Sequence, residues 1–251
     1  LLTKLTVLAI VIVECFVLFA GMAMYAVQVR RKIRIFPTGG ESNPGLAKQM
    51  LKFAAPIFLN FVGGFLYTKV DVLFVKYYLT GSDTAEYFLM MYIFQFPLQA
   101  LGAYLYVLNT EISRCIGENN WERIRALFKK SIWMSAALGF GVTALFIGAS
   151  YIVPLVFPEY RGTAHLMRLI SPMLIVKCVA QVASGAFMIS LGRVRLMAAM
   201  TIGGGVLNMI LNYLFIPPMG VDGAVYSTVI GHTSVGILTV VFVMRALRHS
   251  D

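Results

Sequence analysis

The sequence predicts an all-α, polytopic membrane protein of seven transmembrane helices, and three observations carry that expectation. Hydrophobic residues make up 59% of the 251-residue chain and charged residues only 13%. Several apolar runs exceed the roughly 20 residues that cross a hydrocarbon core as a helix. The basic residues between those runs fall on alternate connections. The spans are expected at about 5–29, 49–79, 86–109, 131–156, 164–190, 196–216 and 222–244.

The first run, 5–29, is too long for the apolar part of a signal peptide and lacks a small-residue cleavage site. The chain begins at Leu1, already at a membrane edge and without an initiator Met, so it is expected to be part of a longer protein. "RRKIRIFPTGGESNPG", residues 30–45, reads as a linker on the cytoplasmic side. Asn43 followed by Pro44 is an N-cap with Pro at the first helical position, opening the second span. Asp83 and Glu86 have capping-box spacing ahead of the third. "NNWERIRALFKK" places Trp121, Ile124, Leu127 and Phe128 near one face and is expected to lie in the interface as an amphipathic helix. "IPPMG", 216–220, is expected to end the sixth span, because Pro cannot continue a helix and Gly permits the turn.

Orientation follows from charge. With the N-terminus outside, fifteen Lys and Arg fall inside, four (Lys4, Lys76, Arg161, Arg168) outside, and Lys69 and Lys177 lie within spans, which accounts for all 21. A C-terminus in the cytoplasm is therefore expected. The net charge of +10 is explained by this bias, and no nucleic-acid partner is expected. Cys15, Cys115 and Cys178, like His165, His232 and His249, are scattered, so neither a disulfide framework nor a metal site is expected.

The polar residues inside the spans are the candidates for function, since a Lys or Asp at a helix centre costs roughly 2.5–3.5 kcal/mol even on the lower scale. Asn60, Gly64, Tyr67 and Asp71 follow steps of four, three and four and share one face. Asp71 is too short to reach an interface, so that face is expected against protein or a wet cavity. Lys69 lies nearly opposite and Lys76 seven residues on; both have stems long enough to snorkel. In the third span Tyr92, Gln95, Gln99 and Tyr106 lie on one side, with Pro97 able to kink the helix, and suit sugar contacts or helix–helix hydrogen bonds equally. Lys177 falls near the middle of the fifth span, with Gln181 and Ser184 on its face and Pro172 just before it, where a bend would open space. A cation in a cavity or a buried pair with a carboxylate are both open. Glu14, midway along the first span, is a candidate partner for Lys177, and Glu14 and Lys69 are the candidates for ion pairing or coupling. Gly203, Gly204, Gly205, Asn208 and Asn212 are read as helix-packing positions.

Three stretches, "VDVLFVKYYLTGSDTAEYFLMMYIF", "NTEISRCIGENNWERIRALFKKS" and "SLGRVRLMAAMTIGGGVLNMILNYLFIPPMGVDGAVYSTVIGH", resemble the C-terminal half of a polysaccharide or lipid-linked oligosaccharide flippase, of the O-antigen flippase type. Such flippases belong to the superfamily that includes lipid II flippases and multidrug and toxin extrusion transporters. The resemblance implies two six-helix bundles around a cavity that opens to each side in turn. Residues 1–29 would be the last helix of an N-terminal bundle that is otherwise missing, 30–45 the linker, and 46–251 the C-terminal six-helix bundle. Asn60, Tyr67, Asp71, Tyr92, Gln95, Gln99, Lys177 and Gln181 would then line the cavity. The implied function is translocation of a polyprenyl-pyrophosphate-linked oligosaccharide across the cytoplasmic membrane for cell-surface polysaccharide biosynthesis, with membrane lipids around the bundle, a sodium ion or proton as coupling ion, no cofactor and no bond made or broken, hence no enzyme. Cation-coupled multidrug extrusion is the alternative within the superfamily. A seven-helix receptor, a retinal protein or a structural membrane subunit are the alternatives outside it.

Overall fold

The computed structural model describes residues 44–248 and, in its first helix, only part of the side chains. The expected first span, the linker up to residue 43 and Glu14 lie outside the described residues. Among the described residues every regular element is helical: α1 Pro44–Tyr78, α2 Gly81–Gly117, α3 Trp121–Val156, a 3-10 turn Pro158–Tyr160, α4 Gly162–Ile170, α5 Met173–Val182 running into a π-helical turn Ala183–Met188, α6 Val194–Met219 and α7 Val221–Arg248. Five of these helices are long and apolar enough to cross a membrane, and α4 with α5 and its π turn form a sixth, bent span. Six of the seven expected spans are thus present, and the seventh falls outside the described part. Large apolar side chains on α3, among them Phe140, Leu145 and Leu155, are left exposed, a surface suited to lipid.

The broken span has a local cause. Pro172 has no N–H, so the carbonyl of Arg168 loses its helical partner. Ser171 Oγ donates to that carbonyl at 2.9 Å, and Thr143 Oγ1 donates to the Ser171 carbonyl at 3.3 Å. With the backbone groups satisfied by hydroxyls, the two halves bend by 51° within the bundle. The bend expected at Pro172 is present.

Three boundaries differ from the sequence expectation. The capping box of α2 is Thr80 with Asp83: Thr80 Oγ1 accepts from Asp83 N at 3.3 Å and Thr80 N donates to Asp83 Oδ2 at 3.1 Å. Glu86 therefore sits inside α2 and serves another helix, accepting from Gly162 N at 3.1 Å where α4 begins. The stretch from Trp121 is no separate interfacial helix but the first turns of α3, capped by Asn120 and held by buried Ile124 and Phe128. Finally, α6 runs through Pro217 and Pro218 and stops at Gly220, whose φ of 63° turns the chain. The amide of Gly220 still reaches the Ile216 carbonyl at 2.8 Å, so two prolines in the last turn remove only their own hydrogen bonds.

The core forms two apolar clusters along the bundle. One gathers Tyr87, Met90, Phe94, Met167, Leu174 and Ile216. The other gathers Ile112, Ile124, Phe128, Phe187 and Val243. Lys177 precedes Cys178 of the first cluster, and Val182 belongs to the second, so the ammonium is carried at the level where the two meet. Below the second cluster Glu111 accepts from Arg114 at 2.7 Å and from Arg123 at 2.6 Å, tying α2 to α3 around the turn at Asn119. Residues 111–114, "EISR", lie in the last turns of α2.

A buried carboxylate and a polar groove

Two distinct polar constructions occupy the bundle. The first is Asp71 on α1, with no exposed surface at all. Its Oδ1 accepts from Asn208 Nδ2 and from Asn212 Nδ2, the latter at 2.6 Å. Its Oδ2 accepts from Thr228 Oγ1 at 2.8 Å and from Tyr87 OH at 3.2 Å. Tyr87 and Thr228 also lie 3.0 Å apart. The donors come from α2, α6 and α7, and all are neutral. An ionised carboxylate taken out of water costs several kcal/mol unless its lone pairs are filled, and here neutral donors fill them. The amide oxygens of Asn208 and Asn212 are buried without a hydrogen-bond partner. Rotating either amide by half a turn would aim an oxygen where its N–H now points, turning a donor toward Asp71 into an acceptor.

Asn208 and Asn212 lie one turn apart and point the same way, which explains their spacing better than helix packing alone. Asn60 does not join Asp71 in one pocket; its Oδ1 accepts from Thr201 Oγ1 at 2.8 Å, about two turns before Asn208 on α6. The side chain of Tyr67 lies outside the described residues.

The second construction is a groove along α2. Lys69, Tyr92, Gln95 and Gln99 line one cavity of about 290 Å³. Gln95, Gln99, Lys177, Gln181 and His232 line an adjoining one of about 280 Å³. The structure therefore brings together six of the sequence-derived candidates, Lys69, Tyr92, Gln95, Gln99, Lys177 and Gln181, and separates them from Asn60 and Asp71. Tyr106, also expected on this side, is not among the lining residues of either cavity.

Lys177 donates to His232 Nδ1 at 2.6 Å. Helix packing sets this distance. A Cβ at Gly236, one turn beyond His232, would lie 3.1 Å from the side chain of Ala180 and 3.2 Å from that of Val176, on either side of Lys177 along α5. Any side chain at 236 would make those neighbours give by a few tenths of an ångström, so glycine there favours the close approach of α7 to α5. On the other side, a Cβ at Gly139 would lie 2.9 Å from the Cα of Ile175, so α3 presses α5 in the same way. His232, Tyr87 and Thr228 were not legible as site residues in the sequence. Their only signal is position: Thr228, His232 and Gly236 follow steps of four on one face of α7.

The described helices, long and apolar enough to cross a membrane, thus enclose a buried carboxylate and carry a polar groove along α2. A family model described as MatE matches residues 56–214, and the chain belongs to the MatE family. In fold the chain is similar to the outward-facing conformation of a multidrug resistance MATE family transporter of the MOP superfamily, with a TM-score of 0.69 and 20% identity over 82% of this chain and 49% of that one. It is also similar to a MOP superfamily transporter from Pyrococcus furiosus Vc1 (DSM3638), with a TM-score of 0.67 and 20% identity over 80% of this chain and 47% of that one, a protein described by the reverse polarity of its binding pocket. The chain spans about half the length of these solved structures. Among curated protein sequences none matches it. The superfamily expected from the sequence is thereby supported, and the matches reach no further toward an oligosaccharide flippase.

Proposed function

We propose that the chain supplies one bundle of a MATE-type exporter, which moves its substrate by alternating access and couples that movement to a cation at Asp71. The observation that carries this reading is a carboxylate buried at 0% exposure and held by four neutral donors from three other helices. Such a group is stable charged only while every donor stays in place. A proton or a sodium ion arriving there removes the charge or engages it, and the preferred orientation of the Asn208 and Asn212 amides reverses. Because both amides sit on α6, that reversal acts on the packing of α6 against α1. The groove along α2 and α5 then receives the substrate. In this reading the protein is a carrier, not an enzyme, with its C-terminus in the cytoplasm.

Family membership and the similarity to a multidrug resistance transporter favour extrusion over the oligosaccharide reading. A second reading keeps support from one observation. Lys69, Lys177 and His232 line the groove together with amides that suit sugar hydroxyls. That lining also suits a pyrophosphate-linked oligosaccharide. Gradient-driven accumulation of ethidium, or of a fluorescent organic anion, inside everted vesicles under an imposed sodium or proton gradient, set beside complementation of a glycan-export defect, separates the two. Gradient-driven accumulation of either dye without complementation supports extrusion, and the reverse result supports flipping.

A further inference from the structure

Beside the groove, at the N-terminal end of α2, lies a third cavity of about 320 Å³ lined by Ala85, Phe88, Leu89, Tyr92, Phe157 and Tyr160. It is an aromatic cup with a small polar fraction, closed on one side by the 3-10 turn after α3. Phe88 and Tyr92 also line the first polar cavity, and Gln95 and Gln99 line both polar cavities. One face of α2 thus runs from the Lys177–His232 pair, past Gln99 and Gln95, to Phe88 and the cup. From Gln99 to Phe88 that face extends roughly 16 Å at 1.5 Å per residue.

The charge along it has one sign. Among the described residues lining the three cavities there is no Asp or Glu, while Lys69 and Lys177 both contribute. The buried Asp71 is held by its own donors and lines none of them. An apolar cup joined to a cationic groove selects by two properties at once, since pockets place a few polar groups to fix orientation and let apolar walls supply the contact area.

We propose that groove and cup form one bipartite site for an anionic amphiphile, whose charged head meets Lys69 and Lys177 and whose compact apolar group enters the cup between Phe88, Tyr92, Phe157 and Tyr160. This rests on the export reading and narrows it, from a carrier of unspecified cargo to one for organic anions such as phosphates that carry an aryl group. It also differs from a lipid-linked sugar whose tail stays in the bilayer, because here the apolar group is held by protein.

The test is equilibrium binding to the protein in nanodiscs, read by fluorescence anisotropy against empty nanodiscs. Three probes are used: 6-(2-naphthyl)hexyl phosphate, the matching trimethylammonium compound, and hexyl phosphate, which competes without a naphthyl group. The phosphate probe should bind about tenfold more tightly than the ammonium probe, and Lys177→Met should remove about that factor. Lys69→Met, at an exposed side chain, makes the same test should Lys177→Met not fold. Phe157→Ala should weaken the naphthyl phosphate roughly five- to tenfold and leave hexyl phosphate competition unchanged. Tighter binding of the ammonium probe, or equal effects of Phe157→Ala on both phosphates, overturns the proposal. If Gln95→Ala and Gln99→Ala weaken both naphthyl probes alike with no charge preference, the groove stays a binding site and only the anionic reading falls. If no probe responds to Lys177, Gln95 or Gln99, the export site itself is misplaced and both readings fall.

Discussion

Lys177 Nζ lies 2.6 Å from His232 Nδ1, joining α5 to α7 across 55 residues of sequence. Gly236 lies where those helices pack most closely, so packing and site chemistry are one problem here. Gly236→Leu should separate α5 from α7 and destabilise the protein by about 1–3 kcal/mol, the usual cost of overpacking. Gly139→Leu should cost a similar amount, because its neighbour is backbone at Ile175. Gly141→Ala and Gly148→Ala, with nothing within 4 Å of an added Cβ, are the controls without a clash and should hold stability or raise it by up to about 1 kcal/mol. Melting temperatures in detergent measure all four.

The helix caps make a second prediction. Glu86 accepts from the amide that opens α4, so Glu86→Ala should cost about 0.5–2 kcal/mol, in the range of a lost N-cap. Thr80→Ala, which removes the capping box of α2, should cost about as much. The two losses should add, since the caps share no partner. Melting of the single and double variants checks this, and a double variant no worse than either single would show that the caps are coupled.

Orientation is tested by labelling. The charge bias expects Asn119 on the cytoplasmic side and Gly81 and Glu159 outside. In a cysteine-free background, single cysteines at Gly81 and Glu159 should react with an impermeant thiol reagent in intact cells, and one at Asn119 only after lysis. Glu159 is chosen over Gly162, where an added Cβ would strike the Glu86 carboxylate.

The sequence was informative wherever the signal is local. Apolar run length located six of the six described spans, and Pro172 located the bend, since both effects act within one helix. Helical spacing expects Tyr92, Gln95, Gln99 and Tyr106 on one side of α2; the first three line one cavity and Tyr106 does not. It failed where the partner is remote: Asp71 meets Asn208, Asn212 and Thr228, which lie 137, 141 and 157 residues away. A face shared by Asn60 and Asp71 fixes direction on α1 but not which residue of α6 stands opposite, so the two were assigned to one cavity that they do not share. The cap of α2 moved one turn because Thr80 and Asp83 satisfy the same spacing rule as Asp83 and Glu86, and only the tertiary contact with Gly162 decides between them.

The central claim is that Asp71 couples cation binding to export, and Asp71→Asn tests it most directly. An amide keeps the size but carries no charge for a cation to meet. Its oxygen still accepts, while its NH2 group donates where Asp71 accepted, to the Asn208 and Asn212 oxygens that are buried without a partner. With the two-bundle protein in everted vesicles at equal expression, export should still respond to a substrate gradient. It should no longer accelerate when a sodium or proton gradient is imposed, with the driven component falling at least about tenfold, as for loss of one essential charged contact. Gradient-driven export by Asp71→Asn at the wild-type rate would contradict the account.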